Sequence, residues 1–277
     1  MTTSTAPILV IGGAGKTGSR VATRLEARGH DVRLASRSST PAFDWHDRST
    51  WAPALEGAGA AYISFYPDLA LPGAPAAIAA LAAEAVRVGT RRLVLLSGRG
   101  EVEAQHAEQE LAESGADWTI VRCAWFSQNF SETYFRDALL GGELALPADG
   151  GLEPFVDADD IADVAVAALT EDGHGGRLYE LTGPRLLTFA DAVAEIGRAS
   201  GRELRYQQIP MADFEAALAA EGEPDEVVEL LRYLFTDVHA HNATFGDGVQ
   251  RVLGRPARDF ADFARDAAAA GTWDPAA

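Results

Sequence analysis

Short, wholly apolar runs alternate along this chain with longer stretches in which apolar residues recur every three or four positions. Ile8 to Ile11 is the first such run. A segment apolar at every residue marks a strand buried on both faces of a parallel sheet. Asp31 to Ser36, Ala60 to Phe65, Arg92 to Ser97, Trp118 to Val121 and Arg177 to Thr182 read as further strands. Between them Lys16 to Arg28, Ala74 to Val88 and Glu101 to Glu113 carry helical periodicity. Strand and helix in alternation predict an α/β fold, a Rossmann-type doubly wound parallel sheet with helices on both faces.

The pattern changes after Arg122. Trp125, Phe126, Phe130, Tyr134 and Phe135 cluster, and Gly141, Gly142, Pro147, Gly150 and Gly151 then break the chain. Phe155 to Ala168 reads as a turn, an acidic N-cap and a helix, and from Pro184 onward the clear elements are helices, Phe189 to Ala199, Met211 to Ala220 and Phe260 to Ala270. The expected organisation is a nucleotide-binding core over 1–128, an excursion toward the substrate over 129–154 and a return to the core over 155–183. A smaller, mainly helical substrate-side domain over 184–277 completes it.

The turn after the first strand carries the clearest chemistry. Gly13, Gly15 and Gly18 fit G-x-G-x-x-G, and Gly12, Gly15 and Gly18 fit the variant G-x-x-G-x-x-G. Either register lets a pyrophosphate approach bare backbone while the next helix aims its N-terminal amides and positive dipole end at it. Lys16 and Thr17 lie in the same turn as candidate phosphate contacts. A tight turn without a ligand is the alternative, and strand, glycines and helix together argue against it.

An enzyme that prefers NAD usually places an acid at the end of the second strand to bind the ribose hydroxyls. Here that segment reads Ser36-Arg37-Ser38. A guanidinium fork flanked by hydroxyls suits a 2′-phosphate, so the expected cofactor is NADP(H).

Charge and cysteine content narrow the remaining classes. The 277 residues include 23 basic and 41 acidic side chains, a formal charge of −18. That field repels nucleic acid and anionic lipid and attracts cationic small molecules. One cysteine, Cys123, allows no internal disulfide. With an N-terminal segment unlike a signal peptide and no apolar run long enough to span a membrane, a reducing, cytoplasmic setting is expected. Cys123 follows an apolar run and reads as a buried structural thiol rather than a nucleophile.

Taken together, GGAGKTGS, LASRSS, RLVLLSG, ESGADWTIVRCAWFSQNF and FVDADDIADVAVAAL resemble the NmrA-like atypical short-chain dehydrogenases/reductases over nearly the whole chain. VRLASRSS, FDWHDRSTW and TIVRCAWFSQNF look most like the ergot-alkaloid-type reductases. The resemblance implies NADPH-dependent reduction of an iminium, quinone or activated carbonyl. The alternative it admits is a non-enzymatic regulator of the family's kind, which senses NADP redox state and binds a protein partner.

One departure bears on mechanism. Ordinary short-chain dehydrogenases protonate a carbonyl oxygen with a Tyr-x-x-x-Lys pair, yet Gly98 to Glu113 holds neither tyrosine nor lysine. Ser97 stands where the family keeps a serine near the nicotinamide. His106 is a candidate acid on the following helix, a histidine being able to exchange a proton near neutral pH. Tyr66 falls where the family's loop passes the nicotinamide, as a contact to cofactor or substrate. Trp125, Phe126 and Asn129 follow a strand at its carboxyl end, where such sheets bind ligands, and would wall a planar substrate. No metal site is expected. His239 and His241 share a face only in a strand, which their surroundings do not predict. Asp157, Asp159, Asp160 and Asp163 read as helix capping and dipole compensation.

Overall fold

The computed structural model describes residues 6–239 and 242–275. In chain order the elements are β1 (Ile8–Ile11), α1 (Lys16–Ala27), β2 (Val32–Ala35), α2 (Trp51–Leu55), β3 (Ala60–Ile63), α3 (Ala74–Val88), β4 (Arg92–Gly98), α4 (Val102–Glu113) and β5 (Asp117–Cys123). There follow α5 (Asn129–Glu132), α6 (Tyr134–Leu140), β6 (Glu143–Leu146), α7 (Ala158–Thr170), β7 (Arg177–Leu181), α8 (Phe189–Ser200) and β8 (Arg205–Gln208). Helices α9 (Met211–Glu221), α10 (Asp225–Tyr233), α11 (Gly248–Leu253) and α12 (Phe260–Ala269) complete the chain, with a π-helical turn at Leu234–Val238. Among the described residues no helix is long and apolar enough to cross a membrane.

Six strands form one parallel sheet in the order β2-β1-β3-β4-β5-β7. Ile8 pairs with Val32 on one side and Ala60 on the other, so the strand order reverses direction beside β1. All four residues of β1 are buried, which is why the strand reads as a continuous apolar run. Helix α3 presents Ile78, Leu81, Ala82 and Ala85 to the same core, all fully buried at helical spacing.

Helix α7 carries acidic residues that dock arginines. Arg24 of α1 reaches Asp163 at 2.7 Å and Asp159 at 2.8 Å, while Arg255 reaches Asp160 at 2.7 Å. Dipole compensation, the role expected from sequence, fits Asp159 and Asp160 in the first turn. The ion pairs are an added role that only the fold reveals.

The chain divides into two compact units. The first holds residues up to Cys123 together with Ala158–Leu181 and Asp247–Arg255; the second holds Ala124–Asp157, Thr182–Gly246 and the residues from Pro256 on. The short segment Asp247–Arg255 belongs with the large sheet, a return that no sequence signal marked. Gly248 permits it, since a Cβ there would stand 2.6 Å from the Glu180 carbonyl oxygen.

In the second unit a phenylalanine cluster forms the core. Phe130, Phe135, Phe155, Phe189 and Phe260 are buried and pack largely edge to face. Trp273 is fully buried and donates its indole N–H to the Phe130 carbonyl at 2.9 Å. Helix α8 opens with a capping box between Thr188 and Asp191. Within the mainly helical region beyond 184, an unanticipated strand β8 pairs in parallel with β6, Glu143 to Arg205 through Leu146 to Gln208.

Candidate active site

The first unit resolves the glycine register. Gly12 takes φ +81°, the left-handed region that glycine enters without strain, and the Gly15 amide donates to its carbonyl at 2.9 Å. A Cβ on Gly18 would collide with the Gly12 carbonyl oxygen and lie 2.7 Å from its carbon. Gly12, Gly15 and Gly18 therefore build the turn, the G-x-x-G-x-x-G reading. Gly13 is less constrained, since its Cβ would meet a movable Leu34 methyl at 2.8 Å.

Helix α1 starts on Gly15 with no side-chain cap and no acid in its first turn. Its amides and positive dipole end are therefore presented to whatever occupies the loop, which is what an anionic pyrophosphate requires. Lys16 is half-buried beside them. Thr17 is turned the other way. Its hydroxyl accepts the buried Tyr62 hydroxyl at 2.9 Å, so a contact from Thr17 to phosphate falls to its backbone rather than its side chain.

At the end of β2, hydroxyls lace a tight turn. The Ser36 Oγ lies 3.2 Å from the Ser38 Oγ, and the Ser39 hydroxyl donates to the Ser36 carbonyl at 2.8 Å. Arg37 stands exposed on this turn with no carboxylate in the ribose-binding place. These residues fit a phosphorylated dinucleotide.

The loops after β3 and β4 complete the carboxyl edge of the sheet. Tyr66 is 65% exposed on the first of them. Ser97, by contrast, is buried at the end of β4 and donates its hydroxyl to Glu108 Oε1 at 2.6 Å. Glu108 is also held by Arg122, whose Nε donates to Oε1 at 2.9 Å and whose Nη2 donates to Oε2; Nη1 reaches Glu180 at 3.1 Å. The serine hydroxyl is thus committed to a buried ion-pair network.

His106 lies on an outer flank. With Gln105, Glu108, Trp118, Arg122 and Leu178 it lines a groove of about 420 Å³ along α4, and its ring stands 3.6 Å from Glu103. Among the described residues the groove is lined by no residue of the glycine turn or of the loop after β3.

Two acids that the sequence did not single out sit where His106 does not. Asp68 follows β3, with its carboxylate accepting the Ala70 amide at 2.9 Å, and Glu101 follows β4. The Glu101 carboxylate occupies the space that a Cβ on Gly98 would fill. Desolvation, then the like charges of Asp68 and Glu108, push Glu101 well above the usual carboxylate range. Desolvation also raises Asp68. The available sequence signal was position, since both residues fall within five residues of a strand's carboxyl end. Cys123, at the end of β5, is buried and its thiol is pushed up by desolvation, as an inert structural cysteine should be.

In the second unit Trp125 is half-buried, with its ring 5.4 Å edge-on from Phe189 and 5.1 Å from Phe235. It flanks the phenylalanine core, so any wall it offers a substrate is a rigid one. Phe126 bridges Val156, and Asn129 opens α5 with its amide donating to the Phe126 carbonyl at 3.0 Å. His239 is buried 3.7 Å from Glu153, while His241 lies outside the described residues. The described residues contain no group of three or more metal-ligating side chains.

A sheet that reverses beside a glycine turn, an uncapped helix aimed at that turn and an arginine in place of the ribose acid define a dinucleotide-dependent oxidoreductase. No family model matches the chain. It is 33% identical to the oxidoreductase YesF of Bacillus subtilis, with 96% of each chain covered. It is 31% identical to an NAD(P)H azoreductase of Xenophilus azovorans, over 95% of this chain and 98% of that one. Festuclavine synthase II of Penicillium roqueforti is 30% identical over 93% of this chain and 96% of its own. Among solved structures, the NADPH complex of a quinone oxidoreductase of Escherichia coli superposes with a TM-score of 0.75 at 23% identity, covering 94% of this chain and 99% of that one. A double mutant of NmrA gives 0.70 at 18%, covering 97% of each, and these two likenesses speak to fold alone. The chain belongs to the NmrA-like atypical short-chain dehydrogenases/reductases and is an NAD(P)H-dependent reductase.

Proposed function

We propose that the protein uses NADPH to reduce a small, electrophilic acceptor, an iminium, quinone or activated carbonyl, without a tyrosine-lysine pair. The observation that carries this reading is the end of β4. The stretch Gly98 to Glu113 holds neither tyrosine nor lysine, and the Ser97 hydroxyl is bound to Glu108. Bound NADPH supplies the hydride. The chain's own part is then to hold the dinucleotide through Gly12, Gly13, Gly15 and Gly18 and to orient an acceptor electrophilic enough to react when well placed. Trp125, Phe126 and Asn129 are the residues proposed to contact the acceptor. The azoreductase among the relatives supports a small, electrophilic acceptor.

The test is NADPH consumption, followed by absorbance, against iminium salts, quinones, azo dyes and activated carbonyls. Turnover with one class is the expected result. Silence across the panel with cofactor binding intact would favour a sensor of NADP redox state acting on a protein partner.

Arg37 is proposed to select the phosphorylated cofactor. Losing a charge-assisted hydrogen bond costs about 1.5–3 kcal/mol. Arg37→Ala should therefore weaken NADPH binding roughly 10- to 150-fold, while NADH affinity stays within about twofold. Fluorescence titration of both cofactors checks this, and equal affinities for NADPH in variant and parent would remove Arg37 from the site.

A further inference from the structure

Reducing a neutral acceptor takes a proton as well as a hydride, and two of the donors expected from sequence, Ser97 and His106, are engaged in other contacts. The Ser97 hydroxyl is bound to Glu108, and His106 lines the outer groove. Glu101 is placed differently. It occupies the N-cap position of α4 yet makes no capping hydrogen bond, and its carboxylate turns back onto Gly98 at the carboxyl end of β4. Among the described residues no side-chain hydrogen bond or ion pair engages that carboxylate. In a sheet of this winding, ligands lie outside the carboxyl ends of the strands. With the pyrophosphate proposed at the glycine turn after β1 and the 2′-phosphate proposed at Arg37 after β2, the loops after β3 and β4 remain for the reacting end.

We propose that Glu101 is the general acid of the reaction, giving its carboxyl proton to the oxygen or nitrogen of a neutral acceptor. The assignment rests on the reductase reading. For a quinone the balance is one hydride from NADPH to the ring system and one proton from Glu101 to the oxygen that gains the electron pair. The products are hydroquinone, NADP⁺ and a Glu101 carboxylate, which solvent reprotonates. An iminium ion needs the hydride only, since the product amine is already neutral.

The groups facing Glu101 all favour the protonated form. Asp68 comes from the loop after β3 and Glu108 from α4, both acidic, and the buried Cys123 thiol comes from β5. The nearby cations are engaged elsewhere, Arg99 with Glu180 at 3.7 Å and Arg122 with Glu108 and Glu180. A carboxyl whose proton affinity rises on folding stabilises the fold most below its ordinary value of 4.5, and that contribution declines as pH rises through the folded value.

The experiment compares the full chain with Glu101→Gln in three measurements: kcat across pH with a quinone and with an iminium salt, the infrared carboxylic-acid band of the cofactor-free protein at neutral pH, and NADPH affinity. The expected result is a fall of about 100-fold or more in quinone turnover relative to iminium turnover. The wild-type decline in quinone kcat with rising pH disappears in the variant, and so does a carboxylic-acid band. NADPH affinity stays within about threefold, which shows that the variant folds. Thermal stability should moreover improve relative to wild type as pH rises, by the linkage above. Full quinone turnover in Glu101→Gln, or no acid band to lose, would overturn the assignment. A wild type silent toward every acceptor would overturn the reductase reading and this assignment with it, a result told apart from the first by the absence of any activity to compare. A purely structural Glu101 would lower NADPH affinity and stability together and leave the pH limb in place.

Discussion

Gly18→Ala should abolish useful cofactor binding while leaving the helices and sheet formed. The added methyl has nowhere to go, because it meets the Gly12 carbonyl oxygen and lies 2.7 Å from the Gly12 carbon and 3.0 Å from the Gly13 Cα. Those are backbone atoms, and backbone cannot swing aside as a side chain can. Relief requires α1 to shift away from the turn, which costs about 1–3 kcal/mol in overpacking. The same shift withdraws the first-turn amides from the pyrophosphate. Displacing even two charge-assisted hydrogen bonds removes about 3–6 kcal/mol, a loss of roughly 10²- to 10⁴-fold in affinity. Fluorescence titration with NADPH, with circular dichroism as the folding control, checks it. Gly13→Ala is the matched comparison: its methyl meets only the mobile end of Leu34 and should cost far less. Equal affinities for the two variants would mean that the turn does not bind phosphate.

That contrast also shows what a sequence can and cannot convey. Two glycine registers were open along the chain, because spacing alone satisfies both. The left-handed φ of Gly12 and the closure of Gly18 on it decide between them. Helix α3 was legible to the residue, since its apolar stripe and flanking glycines are local signals. Strands β6 and β8 were not. Each has four residues, RYQQ has no alternation of apolar and polar positions, and the partners lie about 60 residues apart. Nothing local announces a pairing of that kind. The same limit governs the candidate site. His106 is a candidate because it follows Ser97 by nine residues on a predicted helix and a histidine can act as an acid, yet it lines the groove along α4. Glu101 and Asp68 are two of 41 acidic residues, and along the chain only their place just after β4 and β3 sets them apart.

Glu108→Ala should be among the most damaging single changes to stability, at about 3–5 kcal/mol. Glu108 is 4% exposed and accepts from Ser97 and from two nitrogens of Arg122. Removing it leaves the half-buried Arg122 guanidinium and the buried Ser97 hydroxyl without that acceptor, and an unpaired, partly desolvated charge costs more than the pair contributed. Glu180 keeps one contact to Arg122 at 3.1 Å, which places the loss at the lower end of that range. Denaturant unfolding monitored by fluorescence measures it, and a loss under about 1 kcal/mol would show that the network is solvated enough to be dispensable. Glu108→Gln separates the two functions of the side chain. It retains an acceptor for Ser97 and fills the same volume, so its stability cost should be smaller. It also removes a negative charge that holds the proton on Glu101. The declining limb of quinone turnover should then move to lower pH, because Glu101 gives up its proton more readily once one of its two acidic neighbours is neutral. Movement of the limb to higher pH, or none, would mean that Glu108 does not act on the Glu101 carboxyl at all.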